Sequence, residues 1–327
     1  MARKIRVGFI GAGGIAVLHY QRFLLIKQAE FAALTEPSTA SLEQFYKQCP
    51  GSIRLPVYSD YKDMIKKEDL DAVIVLSPHT LHYEQIMYSL NSNLHVLTEK
   101  PMVCSIAEAK RVISKAKEVN KILMISYQRH FESVFRYMRE QIQKGVIGEV
   151  QYVQALLSQE WLRLTHNTWR QNPKLSGGGQ LNDSGSHIVD IMMWITGLKI
   201  REVFARIEKF DVKVDVNSAL TLKFEHGALG NLSVIGNAPA WHEDHTIVGS
   251  KGALMLRQGL GLLQQDKSGN PIKVKLPKVK SNPDLNFVMS ILGREQPEVP
   301  PECGLRTIEV TESAWKSAKL GKPVRVP

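Results

Sequence analysis

A glycine pattern near the start of the chain constrains its fold more than any other feature. The apolar run "IRVGFI" (5–10) leads into Gly11, Gly13 and Ala16, and a helical pattern follows over residues 15–26. This is a G-x-G-x-x-A pattern set between a strand and a helix, the context in which it carries meaning. Gly11 permits the tight turn, Gly13 lets the backbone approach a pyrophosphate, and Ala16 allows the helix to pack on the strand. The unpaired N–H groups of the helix start then favour an anion. Gly14 and Ile15, which open the helix, are expected to join Gly11 and Gly13 in binding a dinucleotide. An acidic residue is expected at the end of the second strand, and Glu36 stands just after "FAALT" (31–35). Its carboxylate can accept both ribose hydroxyls and would repel a 2′-phosphate. Pro37 and Ser38 follow, with no arginine to neutralise such a group, so NAD is favoured over NADP.

The pattern continues as a doubly wound fold. "AVIVLS" (72–77), "LHVLTE" (94–99) and "ILMISY" (122–127) are continuous apolar strands, with helical stretches at 80–90 and 106–119 between them. Continuous apolar strands alternating with helices indicate a parallel sheet covered on both faces. After about residue 130 the pattern changes. A helix near 132–144 leads into a long strand over 148–159, and closely spaced strands follow near 201–210, 218–224, 229–235, 244–249 and 252–257. A helix over 185–196 interrupts them, and helices near 284–293 and 304–318 close the chain. The expected architecture is α/β: an N-terminal Rossmann dinucleotide-binding domain over 1–127, then an α+β domain over 128–327 with a large, mostly antiparallel open sheet. The second domain is expected to bind substrate and to drive oligomerisation. The C-terminal helix is expected to pack back on the first domain.

The 327 residues can bury two sizeable cores, and a hydrophobic content of 43% is ordinary for a soluble protein. Cys49, Cys104 and Cys303 are far apart and have no metal-binding spacing, which fits a reduced cytoplasmic chain with no metal site. No stretch approaches the ~20 apolar residues needed to cross a bilayer, and the basic N-terminus runs into glycines rather than a cleavage site. The net charge of +10 comes from scattered residues. Its densest patch, "KVKLPKVK" (273–280), alternates with apolar residues as a solvated edge strand does. No stacking-aromatic motif accompanies the charge, so a nucleic-acid partner is disfavoured. An open sheet with an uncovered face favours a homodimer or homotetramer.

Two further stretches carry candidate chemistry. "HVLTEKPM" ends a strand with Glu99, Lys100 and Pro101, where ligands bind in open α/β sheets. Pro101 biases Lys100 towards an extended conformation, and a cis 100–101 bond is expected. In "SGGGQLNDSGSHIVD" (176–190), Asp183 and His187 are spaced i, i+4. With a helix starting near Ser184 or Gly185, they share its first turn. Asp183 could equally be an N-cap, with His187 simply packed. Against that stand Gly177, Gly178 and Gly179, which let the backbone pass close to a bulky neighbour. Asp190 or a backbone carbonyl could orient His187.

Together, "GFIGAGGIA", "TEKP" (98–101), "GGGQLNDSGSHIVD" (177–190) and the closing "GLRTIEVTESAWKSAKLGKPV" resemble the Gfo/Idh/MocA oxidoreductase family, which includes inositol dehydrogenases and glucose–fructose oxidoreductases. The resemblance spans essentially the whole chain. It implies an NAD(P)-dependent dehydrogenase acting on a secondary hydroxyl of a sugar, cyclitol or polyol. By the resemblance, His187 is the general base, Asp183 holds the substrate hydroxyl and tunes His187, and Lys100 stabilises negative charge on the reacting oxygen. "LSPHTLHYEQ" (76–85) matches a family segment, which adds Ser77, Pro78 and His82 to Glu99 and Lys100 on the cofactor side. His79 is an unusual occupant there, facing cofactor or solvent. Glu36 stands where the family more often has Asp, and Arg129 with His130 where it often has two arginines. Tyr127, Arg129, Trp169 and Arg170, together with His166, are expected near a polyol or sugar. The same scaffold also hosts NAD-dependent glycoside cleavage and non-catalytic binding, which stand as alternatives.

Overall fold

The computed structural model describes residues 3–52 and 54–327, which divide into two compact units. The first runs to Tyr127 and includes Ser281–Leu305. Its sheet comprises β1 (Ile5–Ile10), β2 (Ala29–Thr35), β3 (Val57–Tyr58), β4 (Ala72–Val75), β5 (His95–Thr98) and β6 (Leu123–Ile125). They lie in the order β3-β2-β1-β4-β5-β6, and every pair is parallel. All four residues of β4 are buried, as a central strand covered on both faces requires. The intervening helices are α1 (Gly14–Phe23), α2 (Thr39–Gln48), α3 (Tyr61–Lys67), α4 (His82–Asn91) and α5 (Ile106–Glu118). Helix α1 buries Ala16, His19, Tyr20 and Phe23, the i, i+3, i+4, i+7 face of an amphipathic helix. Helices α2 and α3 lack such a stripe, burying only Phe45 and only Met64. They are marked instead by caps, Ser38 accepting from the Ser41 N–H and Asp60 from the Lys62 N–H.

The second unit comprises Gln128–Lys280 and Arg306–Pro327. Its helices are α6 (Ser133–Gln143), the short α7 (Trp161–Leu164) and α8 (Pro173–Ser176), and α9 (Gly185–Thr196). Its strands are β7 (Val150–Ser158), β8 (Ile200–Glu208), β9 (Asn217–Phe224), β10 (Leu229–Ile235), β11 (His242–Gly249), β12 (Gly252–Arg257), β13 (Gly261–Asp266), β14 (Pro271–Ile272) and β15 (Val324–Arg325). They form one nine-stranded sheet in the order β14-β13-β12-β11-β7-β10-β9-β8-β15. All its pairs are antiparallel except β10 with β7, which run parallel from Leu229↔Tyr152 to Ile235↔Ser158. Strand β9 alternates buried and less buried residues throughout, the signature of a sheet with one face on a core. Every residue of α9 is buried. Its Ile188, Val189, Ile191 and Met192 share a core with Val153, Leu157, Leu220, Leu232 and Val234 of the sheet. The helix ends at Gly197, whose φ of +71° suits a left-handed C-terminal cap.

Two expectations are corrected. The edge strand foreseen over 273–280 does not form: β14 stops at Ile272, and Pro277, which has no N–H to donate, interrupts the segment beyond it. Residues 281–305, assigned by sequence order to the second domain, belong to the first unit. There Asn282 caps α10 (Pro283–Ile291), with Pro283 at its first turn, and the Ile125 N–H donates to the Val299 carbonyl. The last helix, α11 (Pro301–Leu320), crosses the division after Leu305.

Candidate active site

In the first unit the glycine turn has the features an anion site needs. Gly11 has φ +109°, and a Cβ there would lie 3.0 Å from the Leu76 backbone, so glycine is required twice over. A Cβ at Gly13 or Gly14 would meet nothing within 4 Å, which leaves the space above the α1 start open. Gly13 offers no side-chain cap to the first turn, and no acidic residue lies in it. The first amides of α1 are thus available to a pyrophosphate. Glu36 accepts the Ala12 N–H on one carboxylate oxygen and the Ser38 N–H on the other, each at 2.9 Å. The acid at the end of β2 is therefore anchored to the glycine turn itself. Ile15 is half-buried beside it.

Opposite strand ends complete this edge of the sheet. Ser77 Oγ donates to Gln85 Oε1 at 2.5 Å, and Pro78 precedes the turn into α4. His82 is fully buried, with its ring nitrogens 2.9 Å from the Pro101 and Ser77 carbonyls. It ties together the loops after β4 and β5 through these two carbonyls. Burial pulls its pKa down against the pull of those two carbonyls. His79 is buried as well, not solvent-facing. The Lys100–Pro101 bond is cis, as the sequence suggested. Lys100 is half-buried, and its N–H donates to Glu99 Oε2 at 3.2 Å.

Glu99 in turn belongs to a buried charge cluster that the sequence did not reveal. His19 Nε2 lies 3.1 Å from Glu99 Oε1, and His19 Nδ1 lies 2.5 Å from Asp284 Oδ1. Arg22 donates to the other Asp284 oxygen at 3.3 Å. Burial alone would lower the His19 pKa, but Asp284 and Glu99 outweigh it and push the group up to about 9. Burial likewise tends to raise Glu99, yet His19, Lys100 and Ser126 hold its carboxyl below the usual range.

In the second unit the glycine-rich segment is a pinned loop, not a flexible one. Asp215 accepts the Gly179 N–H at 2.9 Å and the Trp315 Nε1–H at 2.9 Å on Oδ1, and the Leu181 N–H at 2.7 Å on Oδ2. Its backbone carbonyl takes the Gln180 N–H at 2.8 Å. Burial raises the Asp215 pKa against these hydrogen bonds. The pinned segment delivers Asp183 and His187, only 5% and 8% exposed, to the start of α9. Asp183 does not cap the helix. Its Oδ2 accepts Trp161 Nε1–H at 2.9 Å and Arg170 Nε–H at 3.0 Å. Two donors on one oxygen fix the orientation of the carboxylate. Asp190 does not orient His187: its Oδ2 pairs with His130 Nε2 at 2.6 Å, and the His130 ring lies on Trp194.

The expected substrate residues are placed unevenly. Arg129 is committed to a bidentate pair with Glu243, through Nε at 2.9 Å and through NH2. Burial works to raise Glu243, but His245 and Arg129 hold it down at about 2. Arg129 is thus held in an ion pair within the second unit. Arg170 stacks 4.5 Å over Trp169 while its Nε–H holds the Asp183 carboxylate. Tyr127 lies buried in the first unit. His166 is exposed and lines a cavity of about 570 Å³ with Glu160, Arg163 and Asn237. Trp161, Asp215, His19 and Asp284 escaped the sequence reading, since each acts through partners distant along the chain. Among the described residues no helix is long and apolar enough to cross a membrane, and no group of His, Cys, Asp or Glu is arranged to hold a metal ion.

An open, uncapped helix start beside an anchored acid, on a six-stranded parallel sheet, defines a dinucleotide-binding domain. Residues 5–127 match the family described as "Oxidoreductase family, NAD-binding Rossmann fold", and residues 135–255 match the Gfo/Idh/MocA C-terminal domain. The chain belongs to the Gfo/Idh/MocA oxidoreductase family. It is similar to a myo-inositol 2-dehydrogenase of Thermotoga maritima, at 26% identity over 98% of each chain. It is 25% identical, over 72% of its length, to a 1-carboxy-3-chloro-3,4-dihydroxycyclohexa-1,5-diene dehydrogenase of Comamonas testosteroni, of which it spans 58%. Its fold matches a crystal structure of an aldose-aldose oxidoreductase from Caulobacter crescentus complexed with glycerol, with a TM-score of 0.86 at 24% identity over 99% of this chain and 100% of that one.

Proposed function

We propose that the protein is an NAD-dependent dehydrogenase that oxidises a secondary hydroxyl of a sugar, cyclitol or related polyol to a ketone. The observation that carries this reading is the pair at the start of α9: a buried histidine one turn from a carboxylate that two donors hold fixed. Asp183 accepts a hydrogen bond from the substrate hydroxyl. His187 takes the hydroxyl proton as the C–H bond breaks, a task suited to a group that titrates near neutrality. Lys100 supplies positive charge to the oxygen as alkoxide character develops. NAD, when bound, accepts the hydride. The names of the relatives support a hydroxyl-rich substrate.

The test is a panel of inositols, aldoses, glycosides and nucleotide sugars, each assayed with NAD and with NADP. Stoichiometric reduced nicotinamide and ketone are expected with at least one polyol. Glycoside cleavage without net reduced cofactor would replace this reading with transient oxidation, and binding of NAD without turnover of any member would sink it. On the cofactor, Glu36 predicts a kcat/KM at least tenfold higher with NAD than with NADP. Glu36→Ser removes the repelling carboxylate and should narrow that ratio several-fold, mainly through KM for the cofactor. An unchanged ratio would show that Glu36 serves only to anchor Ala12 and Ser38.

A further inference from the structure

The geometry points to His19 as a positioning residue for Lys100: clamped between Asp284 and Glu99, it fixes the carboxylate on which the Lys100 backbone hangs. The inference rests on the dehydrogenase reading above but draws on different atoms. The chain of contacts is continuous within the first unit. Arg22 and Asp284 hold one side of the imidazole, Glu99 Oε1 meets the other, and Glu99 Oε2 receives the Lys100 N–H. His19 and Asp284 have no exposure at all, and Glu99 is 7% exposed. An ionised carboxylate only accepts hydrogen bonds, so two of them are served by one imidazole only when both ring nitrogens donate. Two carboxylates then face two cations, His19 and Arg22, and the buried cluster is neutral as a whole.

This arrangement does more than stabilise the fold. His19 belongs to α1, the helix whose first turn is open to the pyrophosphate, and Asp284 comes from α10, a segment far along the chain. Glu99 is the residue immediately before Lys100. The His19 imidazole therefore links the dinucleotide helix to the backbone of the turn that carries the reacting lysine. Removing its second N–H donor leaves Glu99 buried without its main counter-charge. Glu99 then takes up a proton or turns away, and either change weakens its hold on the Lys100 amide. A side chain tethered through its own backbone tolerates little of this, since catalytic groups lose efficiency on displacement by about 1 Å.

The test compares full-length wild type with His19→Gln, which can donate to one carboxylate but not bridge two. Hydrogen–deuterium exchange is followed in a peptide containing Glu99 and Lys100. Pro101 contributes no amide there, and the Glu99 N–H is held separately by the Val75 carbonyl. The Lys100 amide should exchange at least tenfold faster in the variant. Turnover of the best polyol should fall at least tenfold, while the dissociation constant for NAD stays within threefold. Unchanged Lys100 exchange would overturn the proposal, and so would NAD affinity that falls in step with turnover, because His19 would then serve the helix alone. Asp284→Asn keeps the imidazole but removes one counter-charge, and should shift exchange and turnover in the same direction by a smaller factor. That variant decides the matter where His19→Gln fails to fold. The exchange readout needs no substrate, so it stands even where no polyol is turned over and the dehydrogenase reading itself has failed.

Discussion

His187→Ala is expected to lower kcat about 10³-fold while leaving the dissociation constant for NAD within threefold of wild type. The size follows from the role: a positioned general base contributes roughly 10²–10⁴-fold, and its removal leaves water to take the proton. The selectivity follows from the placement. His187 sits in the second unit at the start of α9, whereas the glycine turn, Glu36 and the strand-end loops that serve the cofactor belong to the first. Turnover of the variant should rise steeply with pH, since hydroxide or a deprotonated substrate then replaces the lost base. Steady-state kinetics and NAD titration by fluorescence check both halves. A variant within tenfold of wild type would mean that His187 is only a packed histidine at the start of a buried helix.

Gly179→Ala should be the most damaging small substitution in the chain. The added Cβ would lie 1.9 Å from the Asp215 carbonyl oxygen, 2.6 Å from its nitrogen and 2.7 Å from its carbonyl carbon. All three are backbone atoms, which no rotamer change can move aside. Overpacking a core typically costs about 1–3 kcal/mol, and a clash against main chain belongs at or above the top of that range. For a unit of this size that corresponds to a drop in Tm on the order of 10 °C. The loop can escape only by giving up the Gly179 and Leu181 N–H bonds to Asp215, which lie just upstream of Asp183. Activity should therefore fall even below the new melting temperature. Calorimetry and kinetics on the purified variant decide it, and an unchanged Tm would refute the pinned-loop account. Gly13 provides the contrast: an added Cβ there meets open space, so Gly13→Ala should spare Tm and weaken NAD binding instead.

The residues that were legible in the sequence share a physical property. Gly11, Lys100, Asp183 and His187 lie within a few residues of a strand end or helix start, so their local setting is readable from spacing, while the roles proposed for the last three come from the family resemblance. The strongly apolar strands and α9 were legible for the same reason, as their burial is written into a local run. What stayed hidden depends on contacts between distant segments. The Arg129–Glu243 and Asp190–His130 pairs join residues 114 and 60 positions apart, which no local spacing reports. Asp215 has no motif around it and becomes meaningful only through the amides it collects. Helices α2 and α3 were missed because each buries a single large residue, which leaves no periodic stripe to read. The parallel pairing of β10 with β7 was hidden too, since both strands alternate just as antiparallel neighbours would.

The discontinuity of the first unit has a consequence for how the chain matures at the ribosome. Its sheet is fully synthesised by Tyr127, but Ser281–Leu305 emerges only after the entire nine-stranded sheet, apart from β15, has been made. Until then the chain contains His19 and Glu99 but not Asp284, the third member of the cluster seen in the complete fold. The dinucleotide-binding unit is thus first to begin and among the last to finish. A nascent chain halted in the second unit therefore lacks a segment of the first unit, Ser281–Leu305, although its six strands have all been made.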